Sequence, residues 1–292
     1  MSRTLNAPAG PPATDSARTA GPAVVRACLA HLRTESGLTW PDLVERSGMP
    51  PDRLTALQRG PDAPSRPQLA SYLDALGAGT HLPALWALAG TAGDSVTDRL
   101  PGWAERLSCV LARATAWRAG GGAVVPLGLR TARYHDRWAR TEPAAVPGEE
   151  SEVLAVLAGA VPPPVARPTA YLDEVLLHRP AGDTRTAAEQ LDHLAALTER
   201  VDLRIVEAPD PGGAFVEVVL PGGDTLVVEA RPDAVLYHCG AGALEAGRVL
   251  DTLAHRAAPA RASAERLRAA ARWMRVRTAA GPTRRRPRRG SR

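Results

Sequence analysis

Apolar positions along this chain follow two periods in turn. Up to about residue 89 they recur every three or four residues, the helical spacing, and from about residue 201 to 239 they alternate. Val24, Val25, Cys28, Leu29 and Leu32 make one stripe, which predicts a helix from Pro22 that ends before Gly37. Thr39 suits the N-cap of a second, short helix, with Pro41 and Asp42 in its first turn, Leu43 and Val44 inward, and Gly48 as its stop. Pro50 and Pro51 open a third helix that carries Leu54 and Leu57 inward and closes at Gly60. Ser65 caps a fourth, with Leu69, Tyr72, Leu73 and Leu76 at helical spacing before Gly77, and Leu82–Ala89 reads as a fifth. Residues 90–98 read as a linker.

Beyond it, residues 101–118 read as a longer amphipathic helix carrying Trp103, Leu107, Val110, Leu111, Ala114 and Trp117, broken by the glycines at 120–122. Residues 143–148 read as loop and 149–159 as a short helix. Residues 201–207, 214–220 and 225–230 alternate as strands, 235–239 adds a short one, and Pro221-Gly222-Gly223-Asp224 supplies a turn. Residues 244–255 and 263–276 read as helices. The expected fold class is therefore α+β: an all-α five-helix domain followed by a mixed α/β domain with a small sheet. The expected divisions are a disordered tail (1–21), a helical domain (22–92), a mixed domain (99–277) and an Arg-rich disordered tail (278–292).

Composition narrows this picture. Hydrophobic residues make up 45% of the 292, ample for two cores, while aromatics are only 4% with a single Phe, so the cores must be mostly Ala, Leu and Val. Cys28, Cys109 and Cys239 are far apart and form no CxxC pair, which fits buried thiols in a cytoplasmic protein rather than disulfides or a zinc site. No apolar run reaches the length of a membrane span, and the first residues lack the apolar segment of a secretion signal. All 36 basic residues are Arg. The net charge of +5 conceals an asymmetry: residues 1–260 hold 24 Arg against 30 acidic residues, whereas 261–292 hold 12 Arg against Glu265 alone. Nucleic-acid binding thus cannot be inferred from the overall charge.

Two short helices joined by a Gly-containing turn form a helix-turn-helix unit, whose second helix would enter a major groove. Leu38-Thr39, Leu43, Gly48, Leu54, Leu57, Arg59-Gly60 and Leu73-Asp74-Ala75-Leu76-Gly77 resemble the XRE family of helix-turn-helix repressors. Further on, Val125-Pro126-Leu127-Gly128-Leu129-Arg130-Thr131-Ala132-Arg133-Tyr134 is similar to the VPGLLQTxxYA segment of WhiJ-like actinobacterial regulators, with Arg130 in place of Gln. Residues 172–182, LDEVLLHRPAG, resemble the LDEAVLRRPVGG segment of the same family, and Gln190-Leu191 matches a following QL pair.

The resemblance implies a non-enzymatic, cytoplasmic, dimeric transcriptional regulator without a cofactor. Its second domain would bind a small, antitoxin-like partner protein or a small-molecule effector, and Arg130, Tyr134, Asp173 and Glu174 lie in the two matching segments. In the third helix Pro50, Pro51 and Asp52 occupy positions where such proteins place base-reading polar groups, and Trp40 stands where a phosphate-contacting Gln is common. Arg53 and Thr55 remain for base edges, with Arg59 and Arg66 for phosphates of an operator. Residues 24–90 carry six Arg against six acidic side chains, so this region has no net attraction for DNA. The Arg-rich end could add non-specific phosphate affinity. The alternative is a degenerate helix-turn-helix protein that acts as an interaction module without specific DNA binding; a gained enzymatic role is a third reading. Asp173 and Glu174 are expected to face opposite sides of a strand, which argues against a catalytic pair. His238 and Cys239, adjacent in a strand, diverge too. The remaining histidines have no metal-ligand spacing, and the glycine runs have no phosphate-loop spacing.

Overall fold

Five helices come first, and most of their ends coincide with a residue suited to cap them. A computed structural model describes residues 19–60, 63–121, 124–141, 168–179, 183–207, 214–231 and 233–279. Helix α1 (Ala20–Ser36) starts two residues before the expected Pro22, inside the stretch expected as tail, and buries Val24, Val25, Cys28 and Leu29. It is followed by α2 (Trp40–Ser47), α3 (Pro51–Arg59), α4 (Arg66–Ala75) and, after one 3₁₀ turn, α5 (Leu82–Ala89). Ser65 and Gln68 close a capping box at the start of α4, and the Leu69, Tyr72 and Leu73 side chains are fully buried beneath it.

A seven-stranded sheet follows: β1 (Ser95–Asp98), β2 (Ala116–Gly121), β3 (Thr169–Asp173), β4 (Asp202–Val206), β5 (Phe215–Val219), β6 (Thr225–Ala230) and β7 (Val235–His238). Its order is β1-β7-β6-β5-β2-β3-β4. The pairs from β1 to β2 are antiparallel, whereas β2-β3 and β3-β4 are parallel. Parallel neighbours need crossovers. Helix α7 (Ala132–Thr141) lies in the segment between β2 and β3, and α8 (Thr184–Leu197) joins β3 to β4. Helix α6 (Trp103–Ala112) connects β1 to β2, and α9 (Gly240–Arg256) and α10 (Ala260–Ala279) end the described chain.

Alternation decides which face of the sheet each helix covers. Trp117, Ala119, Leu172, Val218, Val228 and Tyr237 point into the main core, together with α6, α8 and α10. Tyr171 and Val206 point to the other face, where Leu250 and Leu253 of α9 cover them. The main core continues without a break into the helical region, so Leu29, Leu43 and Leu54 belong to the same cluster as Leu203 and Val228. The joint is α1, which packs on α6, β1 and β7. Beside it the Arg106 guanidinium, 2% exposed, makes a bidentate pair with the fully buried Asp98 carboxylate (2.7 and 2.8 Å) and donates to the Leu100 and Pro101 carbonyls. Burial pulls Arg106 towards neutrality, but the Asp98 carboxylate outweighs it and holds the guanidinium charged. Cys28 and Cys109 meet at the same joint; their hydrogen bond and their burial raise the Cys28 thiol well above its ordinary pKa.

Four expectations need correction. Residues 90–98 are more than a linker, because β1 pairs along its length with β7. The helix expected over 101–118 ends at Ala112, and the chain then turns into β2. Trp117 fits either period, since it is seven residues from Val110 and two from Ala119. Partners decide: Thr115 N–H donates to the Val219 carbonyl (2.7 Å), Trp117 enters the main core, and Arg118 crosses to Glu217 on the opposite face. Nor do Asp173 and Glu174 share a strand, because Asp173 ends β3 and Glu174 begins a 3₁₀ turn, Glu174–Leu177. The sheet also has seven strands, where alternation marks only four. The loop and helix expected over 143–159 lie outside the described residues, as do 1–18 and 280–292.

Candidate nucleic-acid interface

The turn between α2 and α3 is built from Thr39 to Gly60. Asp42 Oδ2 accepts from both the Thr39 N–H (2.9 Å) and the Thr39 hydroxyl (2.6 Å), while the Asp42 N–H donates back to Thr39 Oγ1 (3.4 Å). Those hydrogen bonds lower the Asp42 pKa. Gly48 ends α2 at φ 67°, a left-handed conformation that costs glycine little, and Met49 drops into the core before Pro50 caps α3. Leu43, Leu54 and Leu57 are all buried. Helix α3 therefore turns its two leucines into the core and exposes Pro51, Asp52, Arg53, Thr55, Ala56 and Arg59.

Each DNA-contact candidate is solvent-accessible. Arg53 and Arg59 are exposed on α3, and Arg66 is exposed at the first position of α4. Thr55 is exposed too, although its hydroxyl donates to the Pro51 carbonyl (2.8 Å). Asp52 is exposed in the first turn of α3, a carboxylate beside the side chains that would meet DNA. Trp40 is half-buried with Arg33 over its ring, 4.9 Å from the centroid.

The four partner- or effector-binding candidates sit elsewhere, beyond the C-terminal ends of the parallel, interior strands β2 and β3. Arg130 is 3% exposed; its Nε donates to the Val125 carbonyl (2.7 Å), its Nη1 lies 3.3 Å from His135 Nδ1, and its guanidinium stacks on Trp138 at 4.1 Å. Burial lowers the Arg130 pKa to about 10. The Tyr134 hydroxyl accepts from the Val125 N–H (3.4 Å), so Arg130 and Tyr134 clamp the two polar groups of one residue. Asp173 is buried and accepts from the Val175 N–H (2.8 Å) as the cap of the 3₁₀ turn. Glu174 pairs with Arg266 of α10, which also holds Glu207 (2.8 Å). Val125, Tyr134, Leu176, Ala187, Leu191 and Leu194 enclose only about 10 Å³ between these segments, too little for a ligand. Arg130, Tyr134 and Asp173 thus shape the backbone in this structure, and Glu174 is the most open of the four. Among the described residues no group of three His, Cys, Asp or Glu side chains is placed to hold a metal ion, and no helix is long and apolar enough to cross a membrane.

A family model described as "Domain of unknown function (DUF5753)" matches residues 105–269, more than half of the chain. The chain belongs to this family. The DUF5753 match starts inside α6 and ends inside α10, so it spans β2 to β7 and leaves α1–α5 outside. No curated protein and no solved structure matches the chain significantly. Within the DUF5753 region, Gln190 has a function the sequence alone does not reveal: its amide nitrogen donates to the Leu129 carbonyl (2.8 Å), and its oxygen accepts from the Thr131 N–H (2.7 Å). That pins 127–131 to α8. A second unforeseen residue joins the DUF5753 region to the helices before it. Arg26 of α1 donates to the Gly60 carbonyl at the end of α3 (3.3 Å) and to Asp224 in the β5–β6 turn (2.9 Å). Arg26 and Asp224 are 198 positions apart, so no local pattern could have pointed to that pair.

Proposed function

We propose that this protein is a DNA-binding transcriptional regulator, with an XRE-like helix-turn-helix in α2–α3 and a WhiJ-like DUF5753 region that binds a small partner protein or an effector. The observation that carries the reading is α3 itself. Its two leucines are buried and six of its nine positions are exposed, including Arg53, Thr55 and Arg59, with Arg66 alongside. An α-helix so presented fits a major groove, where Arg53 would read a base edge and Arg59 and Arg66 would neutralise phosphates. The regulator would act in the cytoplasm as a homodimer on paired half-sites, without catalysis or a cofactor.

A second reading has its own support: Asp52 points negative charge outward from α3, and Thr55 spends its hydroxyl proton on the Pro51 carbonyl. On that reading α2–α3 is an interaction surface that has lost its operator. Competition binding separates the two. Operator binding predicts that DNA from beside the protein's own gene competes better than the same sequence shuffled. Arg53→Ala should reduce that preference by about 1–3 kcal/mol, roughly 5–150-fold. Equal competition by both duplexes, unchanged by Arg53→Ala, rejects operator reading.

A further inference from the structure

Between the helical region and the sheet lies a cleft of about 450 Å³, within the size range of small-molecule sites. One wall is α1, another is the end of α3, and the β5–β6 turn closes the third side. Four guanidinium groups line it: Arg26, Arg33, Arg59 and Arg113. Among the described residues its only acidic lining side chain is Asp224, and Arg26 already pairs with that. Arg33, Arg59 and Arg113 therefore leave an excess of positive charge among the described residues of one concavity. The Nε atoms of Arg33 and Arg113 are also buried without a hydrogen-bond partner among the described residues. With no accessible surface, those Nε atoms leave the terminal nitrogens of Arg33 and Arg113 to meet a ligand in the cleft.

We propose that this cleft binds a small organic phosphate. A single carboxylate would neutralise only one of Arg33, Arg59 and Arg113. A phosphate carries close to two charges and several acceptor oxygens, and arginine's planar fork matches it bidentately. The cleft is roomier than a bare phosphate requires, and Ala23, Ala27, Ala30 and Leu220 give it an apolar wall for the remainder of the ligand. A nucleotide-like molecule meets both conditions. This names the effector left open by the functional reading and rests on that reading only for its consequence. Arg59 belongs both to the cleft and to the proposed DNA surface, and Arg26 grips the backbone that ends α3. An occupied cleft would withdraw Arg59 from DNA and set the end of α3 against the β5–β6 turn. By reciprocity, DNA and ligand would then weaken each other's binding.

Calorimetric titration of the full chain, without DNA, tests the site. The probes are adenosine triphosphate, ribose 5-phosphate and inorganic phosphate at fixed ionic strength, with a short DNA duplex in a separate arm. The expected result is saturable binding of at least one of the two organic phosphates, tighter than inorganic phosphate. Affinity should fall about 10-fold or more in Arg113→Ala, the loss of one charged hydrogen-bond donor set. It should stay unchanged in Arg248→Ala, on the opposite face of the sheet. Should Arg113→Ala fail to fold, Arg59→Ala provides the same reading, because Arg59 is exposed and its truncation leaves the core intact. Absence of binding by either organic phosphate overturns the proposal, as does binding that neither Arg59→Ala nor Arg113→Ala weakens. Duplex binding that depends on these arginines, without small-phosphate binding, would make the cleft a contact for backbone phosphate and also overturn it. None of these outcomes depends on operator preference, so this proposal and the regulator reading fail separately.

Discussion

Arg130 and His135 share one buried pocket, and their charges cannot both be satisfied there. His135 is 1% exposed, and the nearby Arg130 guanidinium is 3.3 Å from its Nδ1. Burial first, and the Arg130 charge second, lower the His135 pKa to about 4. The unfolded chain, with an ordinary histidine near 6.5, binds a proton that the folded chain refuses between about pH 6.5 and pH 4. His135 therefore contributes stability that is fully present above pH 6.5 and is lost as the pH falls towards 4. His193, whose pKa burial also lowers, works in the same direction. In urea titrations at pH 7 and pH 4.5, the parent should lose more stability on acidification than His135→Asn does. Equal losses would show that His135 is not the group that titrates. The sequence identifies His135 as an isolated histidine without metal spacing, but nothing in it says that the arginine five residues earlier is buried beside it. Arg130 is chosen there as a contact residue because it lies in a family-like segment, whereas its place in the structure is set by Val125 and Trp138.

Among the elements, those legible in the sequence carry their own punctuation. Thr39, Gly48, Ser65 and the prolines locate α2, α3 and α4 because caps act within a turn of the residues that make them. β1 and β2 escape notice because their partners, β7 and β5, come more than ninety residues later. The docking of α1 on α5 is equally non-local, and Gly21 controls it. A Cβ at Gly21 would lie 2.1 Å from the Leu88 carbonyl oxygen, a backbone atom that cannot rotate away. Gly21→Ala should therefore destabilise the fold by about 1–3 kcal/mol or more, although alanine is the better helix former. Gly90→Ala, whose new methyl would meet nothing nearer than 3.7 Å, should be close to neutral. Thermal melting of the two variants beside the parent checks this; equal melting temperatures would mean that α1 and α5 do not meet as described.

Across the whole molecule, the helical region and the DUF5753 region share one core and are tied by Arg26 to both Gly60 and Asp224. That arrangement suits a regulator in which an event on the sheet side reaches α3 through packed side chains. The charge distribution is less favourable to DNA binding: the Arg excess lies in residues 261–292, far along the chain from α3. The most direct test of the regulator reading is fluorescence anisotropy of a labelled duplex from beside the protein's own gene. It should be run over a salt series with the full chain and with a chain ending at residue 277. If α3 reads DNA with Arg59 and Arg66 on phosphates, the shortened chain keeps its preference over a shuffled duplex and a slope of log affinity against log salt of roughly −2. A slope that vanishes with residues 278–292, and no preference between the duplexes, would contradict it.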